Sequence, residues 1–336
     1  MTLRAPFPYF GGKASIAPVV WAALGGVKHY IEPFFGSGAV LLARPDYRRG
    51  WHVETVNDSN GFLCNVWRAL QFSPDETARW ADWPVNHADL MARKKALIAN
   101  EARLLEGLAA DAEWHDAKMA GYWIWAASCW IGSGMTCPSQ IPHIGKSGMG
   151  VHALGQIPHL SDGGVGVHAL GQIPHIGHGG KGVQEPYNTN IYSWFRALSE
   201  RLRYVRVVCG DWKRVCGGKW QDNIGVVGVF LDPPYAHSVG RDTGVYDKHD
   251  EGDVANAVRE WALERGDKPS YRIVLAGYNE EHESLLSHGW RVQRWTATGG
   301  YSGIRQQDET RGSANRQREA LFMSPHCLQS EMELFA

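Results

Sequence analysis

Residues 31–42 read "IEPFFGSGAVLL", and the order of residue types in this stretch sets the fold class. With its flanks, residues 29–43 run from a β-prone segment through two glycines into an apolar helical pattern. Gly36 and Gly38 fall between strand and helix. There, glycine lets the backbone approach a ligand closely, and the following helix offers free N–H groups. The same two glycines would also serve a plain tight turn. The next stretch, "HVETVNDSN" (52–60), reads as a second strand ending on polar residues. It puts Asp58 about 20 residues past the glycines, where a carboxylate can bind two ribose hydroxyls. An Asx-rich turn or a helix cap explains Asp58 equally well at this point.

Working outward, "KASIAPVVWAALG" (13–25) has helical spacing, and from Pro74 to about Trp130 the pattern is helical throughout. It is clearest in "HADLMARKKALIANEARLLEGLAA" (87–110). The composition then breaks. "QIPHIGKSGMGVHALG", "QIPHLSDGGVGVHALG" and "QIPHIGHGGKGVQEPY" begin at Gln140, Gln156 and Gln172, a repeat of 16 residues. Proline and several glycines in every unit exclude helix, and units this short must stack to bury anything. Beyond the repeat, "NTNIYSWFRALSERL" reads as an N-capped helix. Strands follow at "YVRVVCGDW" and "IGVVGVFLDPPY", a helix at "DVANAVREWALERG", and a strand at "YRIVLAGYN". A helix over "EEHESLLSHG" and strands at "WRVQRWTA" and "EALFMS" complete the pattern. This alternation predicts an α/β fold with a parallel-rich sheet and one large insertion. Residues 1–72 and 187–326 are expected to form the α/β domain, 73–186 the insertion and 327–336 a tail.

The bulk properties narrow the classes. The 336 residues carry a formal charge of −1, so any polyanion-binding surface must be local rather than global. Six cysteines form no CxxC pair and read as reduced, mostly buried thiols. The N-terminus lacks an apolar leader, and no apolar run reaches membrane-spanning length. A cytoplasmic protein without a membrane partner is expected. Six histidines lie in the repeat (143, 152, 159, 168, 175 and 178); the first five recur at spacings of nine and seven, which match no usual zinc pattern, and no metal is expected.

The stretch "VFLDPPYAHS" (229–238) gives the chemistry. Two prolines stop the strand where Asp232 is presented, and a tyrosine follows. In open α/β sheets, ligands bind at the carboxyl ends of the strands, so Asp232, Asp58 and the glycine turn should share one edge. "DPPY" (232–235), with "EPFFGSG" (32–38) and "YFGGK" (9–13) in this order, resembles the Dam-like (class alpha) family of S-adenosylmethionine-dependent DNA adenine-N6 methyltransferases. The likeness covers roughly residues 6–72 and 187–325.

That resemblance implies a Rossmann-like methyltransferase sheet and methyl transfer from S-adenosylmethionine to the 6-amino group of adenine in double-stranded DNA. It assigns Asp232, Pro233, Pro234 and Tyr235 to catalysis. Asp232 and the Pro233 carbonyl would accept hydrogen bonds from an amino group that is otherwise a poor nucleophile. Tyr235 would stack on the extruded base. Tyr9, Lys13, Glu32, Phe34, Gly36, Gly38, Asp58 and Asp232 would contact the cofactor. An aromatic face at Tyr9 suits a sulfonium, and Lys13 suits the cofactor's carboxylate. Asp211 also ends a strand and reads either as a cofactor or target contact or as a cap. Cytosine, RNA or protein glutamine remain as other planar amino substrates, and a DNA-binding relative without turnover remains as another class.

For DNA, the sequence offers the repeat and a late loop. His143, His159 and His175 of the repeat, with its exposed backbone, are candidates for phosphate or base contact, although a purely structural insert reads as well. Similar inserts occur in phage-borne members, which points to a phage or prophage source and to DNA modification, with or without a restriction partner. The loop at 299–318 offers Arg305, Arg311, Arg316 and Arg318 for phosphates, against Asp308, Glu309 and Glu319. No obligatory protein partner is evident, and a monomer is expected.

Overall fold

The computed structural model describes residues 3–7, 9, 12–84, 87–130, 135–136, 190–234, 251–295 and 319–329. The described residues fall into two compact units. One draws on Leu3–Phe10 and Ser59–Arg203, the other on Gly11–Asp58 and Tyr204–Ala336. The 16-residue repeat and the loop at 299–318 lie outside the described residues.

In chain order the second unit contains α1 (Ala17–Leu24), β1 (His29–Glu32), α2 (Ala39–Leu42) and β2 (Val53–Asp58). The first unit then contributes α3 (Gly61–Phe72), α4 (Pro74–Ala81), α5 (His87–Ala110), α6 (Ala117–Cys129) and α7 (Ile191–Leu202). The second unit resumes with β3 (Arg206–Cys209), α8 (Lys213–Cys216), β4 (Val227–Leu231), α9 (Glu251–Gly266) and β5 (Tyr271–Tyr278). It closes with α10 (Asn279–His282), β6 (Arg291–Arg294) and β7 (Glu319–Met323).

The strands form one sheet in the order β3-β2-β1-β4-β5-β7-β6. Neighbours from β3 to β5 are parallel, while β7 runs antiparallel to both β5 and β6. This is the expected Rossmann-like methyltransferase sheet. Its central strand, β4, is "VGVFL" and is buried along its whole length, as a parallel strand covered on both faces must be. The edge strand β6 carries Arg291, Gln293 and Arg294 and is only half-buried, a composition that discourages pairing with another chain. The core between sheet and helices gathers Val229, Leu231, Val258, Tyr271, Ile273, Trp290 and Phe322.

The chain leaves β1 toward β2 on one side and returns to β4 on the other. Strand order therefore reverses at β1 and β4, and a crevice opens outside their carboxyl ends. The register puts Ile31 opposite both Thr55 and Val229. Glu32, Asp58 and Asp232 thus follow one another along the same edge.

The other unit is helical. Asn190 caps α7 by accepting from the Ser193 N–H, and Asp116 caps α6 by accepting from Met119. The Asn65 side chain and the Asp116 backbone exchange hydrogen bonds of 2.9 and 2.7 Å, joining α3 to the start of α6. Gly121 lets α6 press against α4, for a Cβ there would lie 2.7 Å from the Thr77 carbonyl oxygen. No helix among the described residues is long and apolar enough to cross a membrane.

Candidate active site at the carboxyl edge of the sheet

The glycine turn after β1 is built from the backbone outward. Gly36 and Gly38 have φ of 46° and 61°, the left-handed region that a side chain disfavours. Gly38 has a second reason to lack a Cβ: one built there would lie 2.6 Å from the Phe35 ring. Phe35 is buried beneath the turn. Its N–H donates to the Asn57 carbonyl at 2.9 Å, and its own carbonyl accepts from the Gly38 N–H at 2.8 Å.

Asp58 ends β2, partly exposed, and its Oδ2 accepts from the Gly36 N–H at 2.9 Å. The carboxylate thereby fixes the turn while remaining on the crevice side. Asn57 does matching work underneath. Its Nδ2 donates to the carbonyls of Pro33 at 3.0 Å and Gly210 at 2.9 Å, tying the ends of β1, β2 and β3 together. Neither Asn57 nor Gly210 was expected to matter. The available signal was an uncharged amide at the penultimate position of β2, whose sequence is VETVND.

Glu32, the last residue of β1, is buried rather than displayed. It accepts from the Tyr30 hydroxyl at 2.8 Å and from the Leu41 N–H. Burial drives its carboxyl well above the usual carboxylate range, the two hydrogen bonds oppose the rise, and the negative charge of Asp232 adds to it. The Leu41 N–H, in the four-residue helix α2, is thus spent on Glu32 rather than offered outward. Phe34 lies half-buried, its ring 6.3 Å from that of Trp212.

β4 stops at Leu231, and Asp232 emerges one residue later, with Pro233 buried and Pro234 half-buried behind it. Asp232 forms an ion pair with Lys13, Nζ to Oδ2 3.0 Å, with side-chain exposures of 7% for the lysine and 21% for the aspartate. So mostly desolvated a pair has a defined geometry, unlike a surface contact. The Lys13 backbone is itself fixed, because its carbonyl accepts from the N–H groups of Ile16 and Ala17 at the start of α1. Lys13 thus joins Asp232, Glu32, Gly36 and Asp58 within one unit, on one edge.

Of the remaining candidates, Tyr9 belongs to the helical unit, where its ring meets Phe7 edge-on at 6.5 Å. Asp211 accepts from the Lys213 N–H at 2.8 Å, a local turn at the start of α8. Tyr235, His143, His159, His175, Arg305, Arg311, Arg316 and Arg318 lie outside the described residues.

A family model for the D12 class N6 adenine-specific DNA methyltransferases matches residues 9–95. Over those residues the chain is similar to this class of adenine methyltransferases. The matched residues include Lys13, the glycine turn and Asp58, three components of the edge described above; Asp232 lies beyond them. The likeness supports DNA adenine methylation as the general activity. Enzymes of the D12 class in general take their methyl group from S-adenosylmethionine. No curated protein matches the chain.

Proposed function

We propose that the edge formed by β1, β2 and β4 transfers the methyl group of S-adenosylmethionine to the 6-amino group of adenine at a defined site in double-stranded DNA. The observation that carries this reading is the Lys13–Asp232 ion pair at the strand end beside the glycine turn, at 3.0 Å.

The residues fit the cofactor by their chemistry. The turn at Gly36 and Gly38 brings backbone, not side chains, to the crevice, and the partly exposed carboxylate of Asp58 suits ribose hydroxyls. When bound, S-adenosylmethionine supplies an electrophilic methyl group on a sulfonium. Asp232 and the Pro233 carbonyl accept the two amino hydrogens of adenine, drawing the nitrogen lone pair out of the ring. Positive charge that would develop on that nitrogen as it took the methyl group, with the cofactor's sulfur leaving as a neutral thioether, would be met by the Asp232 carboxylate. The proton then leaves the nitrogen toward Asp232 and solvent. Lys13, ion-paired with Asp232 at 3.0 Å, fixes the direction of that carboxylate. Glu32, buried next to Asp232 and shifted toward its neutral form, avoids a second negative charge there.

Tyr235 follows the proline pair and is assigned to stacking on the extruded base. Target recognition is assigned to the repeat-containing insertion and the arginines at 305–318. Incubation with labelled S-adenosylmethionine and plasmid DNA, followed by nucleoside analysis and mapping, tests the reading. The expected product is N6-methyladenine at one recurring sequence.

A further inference from the structure

The opposite edge of the same sheet carries a second surface. The amino ends of the parallel strands β1 to β4 emerge there, roughly 15 Å from the reactive edge along the length of β2. Three large aromatic side chains lie open to solvent on it: Trp51 at 47% exposure, Tyr204 at 52% and Trp220 at 39%. Each has a cation against its ring. Lys28 Nζ lies 6.0 Å from the Trp51 centroid, Arg49 Cζ 5.2 Å from that of Tyr204, and Arg206 Cζ 5.9 Å from that of Trp220.

The three pairs are contiguous. Val53 at the start of β2 donates to the Lys28 carbonyl at 3.0 Å and lies opposite His29. Arg206 lies opposite Thr55 on the other side of β2. His29 lies between these charges: burial lowers its pKa first, and Lys28 and Arg206 lower it further. The segment 44–53 adds an exposed Arg48, and its one carboxylate is Asp46. Glu54, next in sequence, is buried and paired with Arg44 at 3.0 Å. In a chain of formal charge −1, this edge is a concentrated positive patch interleaved with exposed rings.

Cations alone would suit any polyanion. Exposed rings beside them suit one whose bases are unstacked and can lie on an aromatic face, a face that a duplex buries in its own stacking. We propose that this edge binds a single-stranded polynucleotide, with Lys28, Arg49 and Arg206 on its phosphates and Trp51, Tyr204 and Trp220 on its bases. This site is separate from the reactive edge and independent of methyl transfer.

The test titrates the full chain, wild type and variants, into fluorescein-labelled 15-mers of oligo(dT) and oligo(U) and a 15-base-pair duplex, at several salt concentrations. Trp51→Ala is expected to weaken single-strand binding about tenfold and duplex binding less than twofold, while Trp51→Phe keeps most of the affinity. The double variant Arg49→Ala with Arg206→Ala should make the plot of log affinity against log salt shallower by about 1.4 for single strands. The oligo(dT) and oligo(U) arms show whether DNA or RNA is preferred. Unchanged single-strand affinity and salt slope in both variants would overturn the proposal, as would an equal loss for the duplex. Absence of methyl transfer by the wild-type protein would instead count against the function proposed above and leave this binding result standing.

Discussion

Replacing Lys13 by methionine separates two roles that a lysine at this edge could play. The ion pair with Asp232, at 3.0 Å, corresponds to about 5 kcal/mol at an effective dielectric constant of about 20. Asp232 retains 21% side-chain exposure, so solvent returns part of this when the lysine is removed. A net loss of about 2–3 kcal/mol in the transition state gives a methyl-transfer rate lower by roughly 30- to 150-fold. Because the lysine acts on Asp232, the loss should appear in kcat, with the KM for S-adenosylmethionine within about threefold of wild type. Lys13→Arg keeps the charge and should recover most of the rate. Steady-state kinetics with a short duplex substrate reads both constants, and thermal unfolding checks that the variants fold. A methionine variant with wild-type kcat and a greatly raised KM would refute the positioning argument. It would return Lys13 to direct contact with the cofactor's carboxylate.

Three further outcomes follow from other residues. Gly38→Ala puts a Cβ on a backbone with φ of 61° and 2.6 Å from the Phe35 ring. A cost of about 1–3 kcal/mol is expected, read as a lowered Tm and at least fivefold weaker cofactor binding by calorimetry. Glu32 has a folded-state pKa raised chiefly by burial, so its contribution to stability falls as pH rises above the ordinary carboxylate value. Glu32→Gln should therefore flatten this dependence in denaturant titrations between pH 5 and pH 9 and leave the fold intact, whereas Glu32→Ala strands the Tyr30 hydroxyl and loses stability at every pH. Asp222 behaves oppositely. Tyr271 (2.6 Å), Lys268 (3.1 Å) and Arg265 (2.9 Å) hold it, and its pKa is lowered to about 2. Its stabilisation is complete above the unfolded carboxylate value and fades as pH falls toward about 2. Asp222→Asn should lower neutral-pH stability and remove that part of the acid dependence.

Much of the catalytic unit was legible in the sequence because its signals are local. The β1–glycine–α2–β2 order, the proline stop after β4 and the cap at Asn190 each depend on a few consecutive residues. Helix α3 was not expected: nine of its residues are buried, so a contrast between an apolar and a polar face is faint. Of the N–H groups expected to be free at the start of α2, that of Leu41 is taken by Glu32. Only the tertiary position of Glu32, beneath the turn, reveals that the Leu41 N–H is already used. Strand order and the meeting of Lys13 with Asp232 are tertiary facts that no short stretch encodes. The cross-strand ties of Asn57 to Pro33 and Gly210 belong to the same class, since a polar side chain near a strand end does not announce its partners.

Everything proposed for the reaction converges on the oxygen atoms of one side chain at the end of β4. Asp232→Asn preserves shape and removes the negative charge facing the developing cation. Label transferred from S-adenosylmethionine to DNA, resolved by nucleoside, is the direct measurement. Wild-type protein should deposit it on N6-methyladenine, and the asparagine variant should be slower by at least about 100-fold with cofactor binding retained. Label on another nucleoside, or a variant as fast as wild type, would contradict the account.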